Sequence, residues 1–157
     1  MMGLVAEPDL GILLALAYQQ FVTELHEDLG DQGFGDLARS DGYVFRALDA
    51  NPLTTSALAD RLGVSKQGAG QLVDDMTRRG YLQSRPDPAD GRARLLELTR
   101  RGQQALAAAR DFHRRYEQRL ARRHGRGHVD ALRAMLTAMA PTYGEGALDP
   151  RVRALHV

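Results

Sequence analysis

Three breaks in the chain between residues 51 and 80 leave little freedom in how this stretch can fold. Pro52 disfavours helical geometry at Asn51, so a helix arriving through Tyr43, Val44, Ala47 and Leu48 has to stop there. The next helix starts at Thr54 or Thr55, with Leu53 just ahead of the cap, and buries Leu58, Ala59 and Leu62. Gly63 can take the positive φ that ends this helix without steric cost. Ser65 then offers a capping oxygen to a further helix, Lys66 to Arg79, whose inward stripe is Ala69, Leu72, Val73 and Met76. Val64 fits the angle between the two. Beyond Gly80, the apolar runs Tyr81 to Ser84 and Leu95 to Leu98 read as short strands flanking a segment with two prolines, a glycine and three arginines.

Helix, turn, helix and charged hairpin, in that order, describe a winged helix-turn-helix, a device for reading DNA. A helix lying in the major groove needs long amide and cationic side chains near its amino terminus, because amides match adenine edges and cations match guanine or phosphate. The outward face here carries Gln67, Gly70, Gln71, Asp74 and Arg78, with Lys66 in the first turn. Gly68 and Gly70 each cost the helix about 1 kcal/mol relative to alanine, and a glycine on the outward face would let the backbone approach DNA closely. Asp74 either accepts from a cytosine amino group or lies past the edge of the DNA. In the hairpin, Arg85, Arg92 and Arg94 can reach a minor groove or phosphates, with Asp90 expected to orient Arg92 through a bidentate pair.

Charge distribution agrees with that assignment. The formal net charge is only +1, yet residues 1–60 hold two arginines against ten acids. Residues 61–101 hold nine basic residues against five acids, and residues 102–157 ten against five. Basic character therefore begins where the helix-turn-helix does, as expected of a nucleic-acid face. Of the 21 basic residues only Lys66 is lysine, which base composition of the genome explains as well as function does. No apolar run approaches the roughly 20 residues of a membrane span. Without cysteine there is neither a disulfide nor a thiol switch. The amino-terminal residues lack the pattern of a secretory signal, so a cytoplasmic protein is expected.

The flanks are helical in pattern. From Asp9, a potential cap, to about Leu29, apolar residues recur as Leu10, Leu13, Leu14, Ala17, Phe21, Val22 and Leu25, and Ile12, Leu16 and Tyr18 widen the apolar surface. Glycine at three of six positions makes residues 30–35 a loop. Thr99 can cap a helix running to about His124, near 37 Å long at 1.5 Å per residue and longer than the small lobe can cover. Gly125 and Gly127 break the chain before a last helix with Val129, Leu132, Met135, Leu136 and Met139, ended by Pro141. The expected fold is mainly α with a small β-hairpin wing. Residues 39–99 form the winged lobe, and residues 1–38 and 100–157 form a helical dimerisation region whose apolar faces need a partner.

Catalytic and metal chemistry find little support. His124 and His128 have the spacing of two ligands on one helical face, but the glycines between them separate them across a helix break. No phosphate-binding glycine loop or nucleophile elbow is present. Neither an enzyme nor a cofactor is expected.

Taken together, Leu58-Ala59-x-x-Leu62-Gly63-Val64-Ser65, Leu72-Val73, Gly80-Tyr81-Leu82 and Pro86-x-Pro88-x-Asp90-x-Arg92 with Leu98-Thr99 resemble the MarR family of bacterial transcription regulators. The wing pattern closing on Leu98-Thr99 is the more specific part. The resemblance implies a homodimer with interlocked terminal helices and two lobes on a pseudo-palindromic operator in double-stranded DNA. It assigns Ser65, Lys66, Gln67 and Gln71 to the recognition helix and Asp90 and Arg92 to the wing. Gly70, Arg78, Arg85 and Arg94 complete the expected DNA-binding set. Many relatives carry arginine where Ser84 stands, and alanine, serine or threonine where this helix has its glycines. Relatives often take small aromatic effectors in a crevice that Tyr43, Arg46 and Phe112 could line, although core or interface is the plainer role for each. The expected function is a dimeric, sequence-specific DNA-binding regulator, a repressor responsive to a ligand. The alternative is a winged-helix interaction or dimerisation module without specific DNA binding.

Overall fold

The computed structural model describes residues 7–140, and the chain divides into two compact units, residues 1–35 and 36–157. In the first unit, α1 (Leu10–Leu29) is the helix that the apolar spacing predicts. Asp9 occupies the N-cap position, but its carboxylate makes no capping bond. Instead its carbonyl accepts from Leu13 N at 3.0 Å, closing the first turn through the backbone. Residues 30–35, expected as a loop, continue as a wide π-type turn over Gly30–Phe34. Glycine permits left-handed geometry without requiring it. Gly30 stays helical and only Gly33 takes a positive φ, 88°. The Gln32 amide, bonded to the Asp28 carboxylate at 2.7 Å, carries the helical direction across.

The second unit contains the lobe. Helix α2 (Asp41–Ala50) stops at Asn51, whose extended backbone (φ −156°, ψ 149°) is what the following proline requires. Helix α3 (Thr55–Leu62) is capped by Thr54, whose hydroxyl accepts from Ala57 N at 3.1 Å, and ends at Gly63 with φ 62°. Helix α4 (Lys66–Arg78) follows at once, its cap being Ser65 Oγ accepting from Gly68 N at 3.0 Å.

Strands β1 (Leu82–Pro86) and β2 (Arg94–Leu98) pair antiparallel from Leu82 with Leu98 to Pro86 with Arg94. Tyr81 stays outside this ladder because its N–H bonds Met76 O and its carbonyl accepts from Thr99 N. Leu53, expected only to precede a cap, also forms a two-bond bridge with Leu96, at 2.8 and 3.2 Å. Helix α5 (Arg100–His124) is capped by Thr99 as expected. Helix α6 (Arg126–Met139) starts one residue after Gly125, which alone makes the break with φ 93° and ψ 143°. Gly127, expected to share in it, lies inside the helix, and Pro141 lies outside the described residues.

Helix α2 packs against α3, α5 and β2, and α4 against α3 and β1. The core comprises Val44, Phe45 and Leu48 of α2, Leu58 and Leu62 of α3, Ala69 and Met76 of α4, and Leu82, Leu96 and Leu98 of the hairpin. Leu106 and Phe112 of α5 join it, and the Phe45 and Tyr81 rings meet edge to face with centroids 5.6 Å apart. Apolar residues on two helices stay exposed: Leu10, Ile12, Leu13, Leu16 and Tyr18 on α1, and Leu132, Met135, Leu136 and Met139 on α6. No helix among the described residues is long and apolar enough to cross a membrane.

Candidate nucleic-acid interface

The inward stripe of α4 turns Ala69, Val73 and Met76 to the core, with Leu72, expected in the same stripe, half-buried beside them. Lys66, Gln67 and Gln71 are exposed over its first two turns, as are Asp74 and Arg78 further along. A Cβ built on Gly70 would meet nothing within 4 Å, so neither packing nor backbone strain accounts for glycine there. Arg78 stands at the far end, 3.5 Å from Asp75 and well exposed.

The wing differs from expectation in how it uses its polar groups. Asp90 Oδ1 accepts from the backbone N–H of Arg92 at 3.0 Å, and the Asp90 carbonyl accepts from Ala93 N at 2.9 Å. The expected Asp90–Arg92 side-chain pair is therefore not formed. A short aspartate reaches its own backbone two residues on more easily than a guanidinium. The Arg92 guanidinium has no partner among the described residues and projects from the tip. Arg94 is tied back across the hairpin, Nε to Ser84 Oγ at 3.0 Å and Nη2 to Ser84 O at 2.9 Å. Arg85 donates through Nε to Glu97 at 3.1 Å. Glu97 also accepts from the Gln83 amide at 2.8 Å, and these bonds hold its pKa below the usual carboxylate value. Of the three hairpin arginines only Arg92 stands free of internal bonds.

A polar cluster behind α4 escaped the sequence reading. Arg79, the C-cap residue of α4, binds Asp41 with both Nη groups, and Nη2 also reaches Asp75 at 2.5 Å. The bonds to Asp41 raise the guanidinium pKa further. The Tyr81 hydroxyl donates to Asp36, which also accepts from Arg101 at 3.1 Å. Burial, reinforced by that bond to Asp36, pushes the Tyr81 phenol up to about 12. Burial raises the Asp36 carboxyl too, but the bond from Tyr81 and the charge of Arg101 outweigh it and leave the pKa lowered. The Arg79 and Arg101 guanidiniums lie 5.6 and 4.8 Å from the Tyr81 ring centroid. Apart from the i, i+4 pair of Asp75 and Arg79, these contacts join residues about 20 to 65 positions apart in the sequence, where no spacing rule marks a partner.

Of the residues considered for an effector crevice, Tyr43 and Arg46 stand on α2 and Phe112 on α5, two helices that pack together. Phe112 is buried, while Tyr43 and Arg46 are half-buried. Arg46 donates to Gly42 O at 3.0 Å and contacts His113 Nε2 at 3.3 Å. At the other end of α5, His124 and His128 straddle the Gly125 break, with His128 Nδ1 donating to the His124 carbonyl at 2.9 Å. No group of three or more potential metal ligands occurs among the described residues.

A capped helix presenting free amide and cationic groups, set beside a hairpin with an arginine at its tip, makes this a winged helix-turn-helix protein. A profile of the MarR family matches residues 36–93. The transcriptional repressor CouR, in a structure bound to a 23-mer DNA duplex, is 30% identical, with 87% of this chain and 100% of that chain covered and a TM-score of 0.59. The chain belongs to the MarR family and is a transcription regulator, not an enzyme. The fold is shared with a mutant of MepR from S. aureus bound to an oligodeoxyribonucleotide, at 20% identity, coverage of 85% and 96%, and a TM-score of 0.61. It is shared also with the reduced form of MarR from E. coli, at 22% identity, coverage of 86% and 98%, and a TM-score of 0.66. No curated protein matches the chain.

Proposed function

We propose that the chain acts as a homodimeric repressor, each lobe reading one half of a pseudo-palindromic site in double-stranded DNA. The observation that carries this reading is the outward face of α4. Lys66, Gln67 and Gln71 sit exposed around a glycine whose missing side chain serves no purpose inside the protein. Ser65 Oγ takes the Gly68 N–H and leaves those of Lys66 and Gln67 for an approaching phosphate. In the wing, Arg92 is the phosphate or minor-groove contact and Asp90 shapes the loop that presents it. Arg85 and Arg94 add charge at its base through the N–H groups their internal bonds leave over, and Arg78 does so at the end of α4.

Dimerisation answers the exposed apolar faces of α1 and α6, which a soluble monomer would have no reason to keep. Residues 1–38 and 100–157 would supply that interface and residues 39–99 the DNA-reading lobe. A small aromatic effector is the natural ligand for the α2–α5 junction, where the half-buried Tyr43 and Arg46 offer a ring and a cation.

A mobility-shift titration against a random duplex pool, repeated over a salt series, tests the reading. Selection of a two-fold symmetric site, with affinity falling steeply as salt rises, is expected. No selection at low salt, or selection of an unsymmetric half-site by a monomer, overturns it.

A further inference from the structure

Among the described residues, Asp41 at the start of α2 is the only charged residue fully withdrawn from solvent. Its carboxylate accepts from both Nη groups of Arg79, at 2.7 and 3.3 Å, and from Ala38 N at 2.8 Å. The same guanidinium reaches Asp75 and, at 2.8 Å, the Asp36 carbonyl, while its Nε is buried without a partner. A buried ion pair with an orphaned donor is a poor way to hold two helices together, since apolar residues of similar volume do so without the desolvation cost. What a forked guanidinium adds is direction, because two parallel bonds to one carboxylate survive only when the planar groups stay aligned.

Direction matters because of where Arg79 stands. It caps the carboxy-terminal end of α4, about 20 Å from Lys66 at 1.5 Å per residue. A swing of about 10° about that end carries Lys66 and Gln67 through about 3 Å, close to the rise of about 3.4 Å between successive bases of a strand. The apolar contacts of Ala69, Val73 and Met76 hold α4 down, but hydrophobic attraction is non-directional and by itself fixes the angle less sharply than a forked ion pair does. We propose that the Asp41–Arg79 pair positions α4 for base reading by setting its angle to α2, making both residues determinants of sequence specificity that touch no DNA. The proposal rests on α4 reading DNA, as set out above.

The double variant Asp41→Leu/Arg79→Met removes both charges and leaves the net charge unchanged. The probes are the duplex selected by the wild-type chain from a random pool and a scrambled duplex of the same length. The expected result is an unchanged or higher melting temperature, an unchanged affinity and salt slope on the scrambled duplex, and a loss of roughly tenfold or more on the selected one. Arg79→Lys keeps the charge but not the fork. It is expected to lose preference in the same way, and it decides the matter if the double variant does not fold. Wild-type preference in a folded variant overturns the proposal.

A failure of the DNA reading itself is seen separately, as wild-type protein that selects no duplex. The positioning role is then judged on spin labels at Ala50→Cys and Thr77→Cys, both exposed positions in a cysteine-free chain, diluted with unlabelled protein. A label distance that broadens in the double variant supports the pair as a positioning device. One that stays as narrow as in wild type overturns it.

Discussion

Two helical glycines should respond to the same added methyl group with opposite signs. In Gly102→Ala the new Cβ lies 2.3 Å from the Tyr81 carbonyl oxygen and 3.3 Å from its carbon. Backbone cannot rotate away as a side chain can, so the first turn of α5 must withdraw. That withdrawal stretches the Thr99 N to Tyr81 O bond and the two bonds of the Thr99 hydroxyl, which donates to Gly80 O at 2.6 Å and accepts from Gly102 N at 3.1 Å. Alanine returns about 1 kcal/mol of helix propensity, against overpacking of about 1–3 kcal/mol and about 1 kcal/mol for each weakened bond. The balance is a loss of about 3–5 kcal/mol, or roughly 6–20 °C in Tm for a chain of this size. Gly70→Ala meets nothing and should gain the full propensity term, about 1 kcal/mol or roughly 2–4 °C. Thermal melts by circular dichroism are the assay, at one protein concentration because the stability of any oligomer depends on it. Gly102→Ala melting at or above wild type would refute the reasoning, as would Gly70→Ala melting below it.

Arg92→Ala should weaken binding to every duplex alike and lower the salt slope by about one, whereas Gln71→Ala should change the sequence preference. A sequence-dependent loss for Arg92→Ala would count against a phosphate contact and point to the minor groove. Leu16→Glu and Leu136→Glu, at exposed apolar positions, should move sedimentation from dimer to monomer with the lobe still folded, and unchanged dimers would argue for another interface. Burial, with the Arg46 charge, holds the His113 imidazole below its usual 6.5. The unfolded chain therefore takes up a proton below that pH while the folded chain does not. The stability is complete above about pH 6.5 and declines as the pH falls towards the folded value. His113→Gln should flatten this acid limb in urea titrations, and equal slopes would reject the account. For Tyr81 the sign is reversed. Its phenol is raised from 10.0 to about 12, so stability declines as the pH climbs through that interval. One late-ionising tyrosine should appear in absorbance titration and vanish in Tyr81→Phe.

Local chemistry alone was enough to mark out the lobe. Pro52, Gly63, Ser65 and Thr99 act on neighbours within four residues, and the structure places breaks or caps at each of them. The stripe of α4 follows from a period of 3.6, and the outward positions Lys66, Gln67 and Gln71 follow from the same count. Local rules were weaker where glycine was involved, because its freedom includes ordinary helix. Gly30 and Gly127 continue helical geometry, while Gly125 breaks it.

Only the tertiary structure decided how polar side chains are spent. Whether Arg94 points at DNA or folds onto Ser84, and whether Asp90 pairs with a guanidinium or a backbone N–H, depends on distances across the hairpin. The Leu53–Leu96 bridge and the Asp41–Arg79 pair join segments about 40 residues apart, for which no spacing rule exists. Periodicity reports which face of an element is buried, since burial is a property of the element itself. The partner of a charged group is a property of the packed whole, and it is there that the angle of α4 is set.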